Sequence, residues 1–153
     1  EKGIIVEPYL VSHIHSFEGE TLLEHSIETQ KKRVIREETA ASVLQGMEMA
    51  TFSGGTATKT AVDGVKVVSK TGTAQVADSE HGGYLKNTFL ASTLSIFPLE
   101  EPKYIIYVAA LDPQGNTIWG SDIASPAIGN VIADMVRSGY ITSSAIEEVS
   151  IVE

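Results

Sequence analysis

The apolar residues of two segments recur at intervals of three and four, the spacing that places side chains on one face of an α-helix. The stripe in residues 37–52 is followed by Gly54-Gly55, which favours a turn over a helix. In residues 125–137, Pro126 suits the first helical position. We therefore predict two amphipathic helices, whose apolar members are Ala40, Val43, Leu44 and Met47 in the first and Ile128, Val131, Ile132, Met135 and Val136 in the second.

Other segments are rich in β-branched and aromatic residues and lie between turn residues, the pattern of β-strands. Glu18-Gly19-Glu20 predicts a hairpin turn, and Gly82-Gly83 lies in a predicted loop over residues 78–86. The predicted strands are residues 9–15, 21–27, 65–76, 89–97 and 104–111. Strands followed by a helix, three consecutive strands and a second helix predict an α+β fold with an antiparallel sheet.

Composition narrows the class of protein. The chain has 153 residues, of which 42% are hydrophobic and none is cysteine. These values fit one folded domain, and they exclude a disulfide scaffold and a cysteine-ligated zinc site. A net charge of −9 argues against nucleic acid as the main partner. Glutamates flank the basic run Lys31-Lys32-Arg33, and we interpret this run as a solvated junction between two elements.

Lys70-Thr71-Gly72-Thr73 is the strongest candidate for chemistry, and it follows the apolar start of a predicted strand. Side chains alternate between the faces of a strand, so Thr71 and Thr73 point one way and Lys70 and Gly72 the other. Hydroxyls can donate to an anion, an ammonium attracts one, and glycine lets a ligand come close. The pattern is that of a strand that recognises a carboxylate, although a strand ending in a polar turn has the same residues.

Several spaced segments resemble the transpeptidase domain of class B penicillin-binding proteins. Lys70-Thr71-Gly72 is the third signature of that family and of serine β-lactamases. The other matching segments are Glu1–Val11, Val34–Ala40, Val67–Gln75, Ile96–Tyr104 and Gly120 with Ala124-Ser125-Pro126. Thr93 and Ser95 stand where the family usually carries Phe and Gly. The continuation Thr73-Ala74-Gln75 and the prolines at 98 and 102 favour the transpeptidases over the β-lactamases.

The resemblance implies a penicillin-binding protein-like fold and a D,D-transpeptidase that cross-links peptidoglycan stem peptides ending in D-Ala-D-Ala. Such an enzyme works through a serine acyl-enzyme and is acylated by β-lactams. Carried over by motif, Lys70 and Thr73 are the catalytic residues, and Thr73 supplies an oxyanion-hole N–H. Thr71, Gly72 and Thr73 are the substrate-binding residues: the two threonine hydroxyls bind the substrate carboxylate, and Gly72 keeps the strand clear of the acylation site. The resemblance implies no cofactor and no metal.

Two family signatures are absent from this sequence. No lysine follows a serine by three positions, and no asparagine follows a serine by two. We therefore expect residues 1–140 to be the C-terminal portion of a transpeptidase domain, with a tail at 141–153. The fragment is expected to be inactive alone, because it has no nucleophile. A non-catalytic binding module with the same fold is the alternative, and an upstream reading frame carrying both signatures would exclude it.

The resemblance also implies a cellular location and an unpaired strand edge. The parent enzyme is expected to be anchored in the bacterial cytoplasmic membrane, with this domain on the outer, periplasmic side. The longest apolar run, 104–111, is too short for a membrane helix, which needs ~20 residues. In the family, two preceding strands pair beside this one. Its edge is therefore expected to be unpaired here and to favour association with a second copy or with the missing half of the domain.

Overall fold

The computed structural model describes residues 2–6, 8–25 and 31–142. Their contacts divide the chain into two units, Glu1–Val43 and Leu44–Glu153, and the boundary falls inside the first helix. The strands are β1 (Ile4–Val6), β2 (His13–His15), β3 (Thr21–Glu24), β4 (Lys31–Arg33), β5 (Val68–Ala77), β6 (Tyr84–Phe97) and β7 (Tyr104–Leu111). The helices are α1 (Glu37–Glu48) and α2 (Gly120–Arg137), with short 3₁₀ turns at Met49–Thr51 and Thr58–Thr60. The α+β prediction is confirmed.

The N-terminal unit contains two small antiparallel pairs. β2 and β3 form the predicted hairpin, although each strand is shorter than expected, and residues 26 and 27 of the second lie outside the described residues. β4 pairs with β1, so that Ile4 lies opposite Arg33. The interpretation of 31–33 as a junction was therefore wrong. A backbone ladder needs no particular side chains, and these three remain exposed as they pair.

The second unit is built on a three-stranded antiparallel sheet in the order β5-β6-β7. β5 begins at Val68 rather than residue 65, because Val62 and Val65 bridge across the Asp63-Gly64 turn. β6 begins five residues earlier than predicted, at Tyr84. The intervening turn is tight: Gly82 and Gly83 take positive φ, and the Asp78 carboxylate accepts from two backbone N–H groups.

The register of the sheet defines two faces, because residues directly opposite one another share a face. The inner face consists of Ser69, Thr71, Thr73, Ala91, Thr93, Ser95, Phe97, Tyr104, Ile106, Val108 and Ala110. The outer face consists of Val68, Lys70, Gly72, Ala74, Leu90, Ser92, Leu94, Ile96, Ile105, Tyr107, Ala109 and Leu111. Helix α2 packs on the inner face, where Phe97, Ile128 and Ile132 are fully buried in one core cluster.

Helix α2 begins at Gly120, so the predicted start at 125 was wrong and Pro126 lies inside the helix. An internal proline forfeits a helix hydrogen bond. The five residues added before the predicted start include Gly120 and Ala124, and both of these are buried. The helix ends at Arg137, as predicted, before Ser138-Gly139. Ile141, the first residue of the predicted tail, is buried in the core, and residues 143–153 lie outside the described residues.

Candidate functional site

The Lys-Thr-Gly motif lies on β5, which has β6 as its only strand partner within the described ranges. Lys70 lies opposite Leu94 on the outer face, and Thr71 lies opposite Thr93 on the inner face. The predicted alternation is therefore present in the structure. A bulge between Gln75 and Ala77 interrupts the ladder only after the motif.

The backbone groups of β5 also alternate, and their direction follows from the opposite edge of the sheet. The Asp112 N–H donates to the Phe89 carbonyl at 2.8 Å, which makes this a hydrogen-bonded pair. In an antiparallel sheet such pairs alternate with non-bonded ones. The odd-numbered residues of β6 therefore bond to β7, and the even-numbered ones bond to β5. Consequently the N–H and C=O groups of Thr71 and Thr73 point away from the sheet, along its open edge.

Side chains of the motif contact their own strand and the segment before it. The Lys70 ammonium donates to the Thr71 carbonyl at 2.5 Å and remains exposed. The Thr71 hydroxyl donates to the Thr56 hydroxyl at 3.2 Å. Thr56 was not among the predicted site residues, because fifteen positions separate it from Thr71 and no sequence pattern links them. The structure thus places a third hydroxyl beside Thr71.

Gly72 lies where two elements approach the strand. A Cβ on Gly72 would lie 2.7 Å from the Ser92 hydroxyl, which belongs to the opposite strand on the outer face. Above the inner face, a Cβ on Gly120 would lie 2.0 Å from the Ser92 carbonyl oxygen and 2.9 Å from that of Gly72. The start of α2 therefore packs directly over the motif, and only glycine fits at position 120.

An ion pair fixes the first turn of α2. The Lys59 ammonium donates to the Asp122 carboxylate at 2.7 Å, and the Thr117 hydroxyl donates to its other oxygen at 3.0 Å. The hydrogen bond from Lys59, followed by that from Thr117, holds the pKa of the Asp122 carboxyl below its usual value. A carboxylate in the first turn also suits the positive end of a helix dipole.

Both residues that depart from the family pattern on β6 have buried, bonded hydroxyls. Thr93 donates to the Gly120 carbonyl at 3.1 Å and lies 3.0 Å from the Ser125 hydroxyl. Ser95 lies 2.7 Å from the Ser69 hydroxyl on β5. Because buried polar groups need partners, these contacts explain how hydroxyls are tolerated on the inner face.

His13 and His15 lie on β2 in the N-terminal unit, and Trp119 directly precedes α2 in the second unit. The rings of His13 and His15 stack in the N-terminal unit, and His13 pairs with Glu24 at 3.6 Å. Within residues 2–6, 8–25 and 31–142, no three His, Asp or Glu side chains are grouped closely enough to hold a metal ion. The Trp119 side chain is 58% exposed.

An antiparallel sheet with Lys-Thr-Gly on its open edge strand and the last helix packed over that motif defines a transpeptidase-type fold. The sequence model for the penicillin-binding protein transpeptidase domain matches residues 1–133. The chain belongs to that family.

Two relatives show the extent of the likeness. The chain is 32% identical over 133 residues to stage V sporulation protein D of Bacillus subtilis, an alignment that covers 86% of this chain and 20% of that protein. It is 25% identical over 151 residues to peptidoglycan D,D-transpeptidase FtsI of Escherichia coli, covering 94% of this chain and 25% of that protein. The chain therefore spans only a fifth to a quarter of the length of these relatives.

Solved structures agree on the fold. Penicillin-binding protein 3 from Mycobacterium tuberculosis, in complex with aztreonam, superimposes with a TM-score of 0.72 at 23% identity, over 93% of this chain and 33% of that one. A peptidoglycan synthetase from Bifidobacterium adolescentis gives a TM-score of 0.67 at 25% identity, over 94% of this chain and 25% of that one. In the part of the chain that the structure describes, no helix is both long enough and apolar enough to cross a membrane.

Proposed function

We propose that this chain supplies the substrate-binding edge of a peptidoglycan D,D-transpeptidase, with the acylating serine contributed by polypeptide outside these 153 residues. The observation that carries the proposal is the edge of β5. It offers outward backbone groups at Thr71 and Thr73, with an exposed ammonium at Lys70 on the adjoining face. An extended peptide can add to such an edge as a further strand.

The proposed roles follow from this geometry. The outward N–H of Thr73 serves as one oxyanion-hole donor when a carbonyl next to the edge is attacked. The hydroxyls of Thr71 and Thr73, with the positive charge of Lys70, bind the terminal carboxylate of a stem peptide or the carboxylate of a β-lactam. Gly72 has no side chain, so it leaves space for the substrate between Thr71 and Thr73. No cofactor is needed for acyl transfer by a serine.

The outer face indicates where the missing nucleophile would lie. Lys70 shares this face with Ile105, Tyr107 and Leu111, which are 69%, 57% and 66% exposed. Contiguous exposed apolar residues mark surfaces that other polypeptide covers. We propose that the segment carrying the serine packs there and so brings its hydroxyl to the side of β5 that Lys70 faces.

Labelling with a fluorescent penicillin tests the function. The complete polypeptide that contains these residues should form a stoichiometric adduct, detected by intact mass. Lys70→Ala should slow adduct formation by about 100-fold or more, since a charge-assisted contact to the carboxylate is lost. Lys86→Ala, a lysine on the same sheet outside the motif, is the matched control and should leave the rate unchanged.

Two results would overturn the proposal. If the complete polypeptide binds stem peptide but takes no adduct, the chain belongs to a non-catalytic binding module. If the 153-residue chain alone takes an adduct on one of its own serines, the nucleophile is not supplied from outside. We expect the isolated chain to stay unlabelled, because no serine in it stands three positions before a lysine.

The division of the chain and its place in the cell are part of the same proposal. Residues 1–140 form the C-terminal portion of the transpeptidase domain, and the segment 141–153 begins with Ile141, which is buried in the core. Peptidoglycan is assembled outside the cytoplasmic membrane, so a domain that acts on its stem peptides works on that outer side.

We further propose that, in the isolated chain, two copies associate through the β7 edge. β7 pairs only with β6 in the described residues, and the alternation of the ladder directs the backbone groups of Ile105, Tyr107 and Ala109 outward. Ala109→Pro removes an outward N–H and should yield monomers in size-exclusion chromatography. Ala110→Pro, its matched control, removes an N–H that bonds to β6 and should unfold the sheet. A monomeric unsubstituted chain would exclude this pairing.

A further inference from the structure

A chain of buried hydroxyls lies directly behind the Lys-Thr-Gly motif. The hydroxyl oxygens of Thr60 and Ser69 are 2.8 Å apart, and those of Ser69 and Ser95 are 2.7 Å apart. All three residues have no exposed surface. They belong to three different elements: the second 3₁₀ turn, the edge strand β5 and the central strand β6.

Counting protons fixes the direction of this chain. A hydroxyl has one proton to donate. Thr60 donates its proton to the Ala57 carbonyl at 2.8 Å, so Ser69 must donate to Thr60. Ser69 has then used its only proton, so Ser95 must donate to Ser69. Ser69 is therefore the one member that both donates to another hydroxyl and accepts from one.

We propose that Ser69 is a positioning residue for the carboxylate-binding edge, acting on Lys70 and the residues after it. This inference rests on the proposed function. An edge strand has backbone partners on one side only, so side-chain bonds have a larger share in holding its free side. Ser69 immediately precedes Lys70 and ties β5 both to β6 and to the turn at Thr60. The next inner-face residue, Thr71, bonds to Thr56 in the segment just before that turn.

The second set of buried hydroxyls provides a control with the same chemistry. Thr93 donates to the Gly120 carbonyl, so Ser125 must donate to Thr93. Ser125 is thus the terminal donor of its set, as Ser95 is of the first. Both are serines without exposed surface. Ser125, however, lies on α2 and has no bond to β5 in these contacts.

The experiment compares two substrates in the complete polypeptide: a penicillin with a free carboxylate and the methyl ester of the same penicillin. A loss of stability alone lowers both acylation rates together. A misplaced carboxylate-binding edge lowers the rate for the acid more than for the ester. For Ser69→Ala we expect the acid-to-ester ratio of rate constants to fall about tenfold, since small displacements of positioning groups have effects of this size.

Ser95→Ala keeps the bond from Ser69 to Thr60, so its ratio should fall by about threefold, and it serves as the test if Ser69→Ala does not fold. Ser125→Ala should lower the unfolding temperature as Ser95→Ala does and leave the ratio within twofold of the wild type. An unchanged ratio in both strand variants, with normal wild-type acylation, overturns the inference alone. An unsubstituted polypeptide that reacts with neither penicillin overturns the proposed function, and the inference with it.

Discussion

The two faces of the β5-β6-β7 sheet differ in which of their polar and apolar side chains are buried. The inner face buries the hydroxyls of Ser69, Thr93 and Ser95 completely, whereas the outer face leaves Ile105 and Tyr107 mostly exposed. The inner hydroxyls are stable there because each has a hydrogen-bond partner. Among the outer-face apolar side chains, Val68 is fully buried, whereas Ile105, Tyr107 and Leu111 are each more than half exposed. Under the proposed function, the exposed part of the outer face is the surface on which the segment carrying the serine packs.

The two faces also differ in their proposed roles, because the inner face holds the strands in place and the outer face carries Lys70. Bonds on the inner face hold β5 to the Thr60 turn and to the central strand, and a separate bond holds α2 to the central strand. The outer face carries Lys70, whose ammonium bonds only to the neighbouring carbonyl in this structure. Substitutions in the buried apolar core of the inner face should therefore change stability first, and substitutions of exposed outer-face residues should change association or acylation first.

The largest effect is expected from Phe97→Ala in the 153-residue chain. Phe97 is fully buried on the inner face in the core cluster, and its removal should lower the free energy of unfolding by about 3–5 kcal/mol. Tyr107→Ala, on the outer face, is the matched change and should cost about 0.5 kcal/mol or less. Urea titration measures both. Equal losses would show that the outer face is already covered in the isolated chain.

Gly120→Ala should rank second. The new methyl group would meet the carbonyl oxygen of Ser92, part of a central strand that cannot move aside. We expect a loss of about 2–3 kcal/mol, typical of overpacking against a rigid neighbour. Gly115→Ala, which has no atom within 4 Å of the added carbon, is the control and should be nearly neutral. A tolerated Gly120→Ala would contradict the close approach of α2 to the motif.

Ile105→Ser tests the outer face with a smaller effect. The side chain is largely exposed in the isolated chain, so the unfolding temperature should change by no more than about 2 °C. Loss of an apolar surface residue should still weaken association of the chain, measured by sedimentation velocity at several concentrations. Unaltered association would show that two copies meet through the β7 edge without using the outer face.

The smallest effect concerns the ion pair at the start of α2. The pKa of the Asp122 carboxyl is lowered by Lys59, so its stabilisation is present above the usual aspartate pKa and is lost as pH falls through the lowered value. Asp122→Asn should lower the unfolding temperature by about 1–3 °C at pH 7. The difference should shrink below about pH 4. Lys59→Met should give the same pH dependence, and a double variant should add little to either.

The order of the sheet and the existence of both helices could be predicted from the sequence because their apolar spacing is regular. The pairing of β4 with β1 could not, since Lys31-Lys32-Arg33 has none of the side chains that favour strands. The true start of α2 was also missed. Pro126 indicates a first helical position by local preference, but the approach of Gly120 to Ser92 depends on a contact between residues distant in sequence.

Some residues of the candidate site could likewise be predicted from the sequence, and others could not. Lys70, Thr71, Gly72 and Thr73 could be found from a short motif and from the alternation of a strand. Thr56, Thr60 and Ser95 could not, because their link to the motif is through space. The hydrogen-bond partner of a hydroxyl in a predicted strand can be named only when the residue opposite it in the neighbouring strand is known. The register supplies that partner for Ser69 by placing Ser95 across from it.

The bulge between Gln75 and Ala77 limits how the length of this strand can vary. Loss or gain of one residue upstream of Lys70 would reverse every side chain that follows and turn the lysine charge into the interior. Loss or gain of two residues would leave each side chain on its present face of the sheet. An odd change is tolerable only at an irregularity in the ladder, and the bulge provides one after the motif. Variation in length is therefore expected at the hairpin end of β5 and not at its beginning.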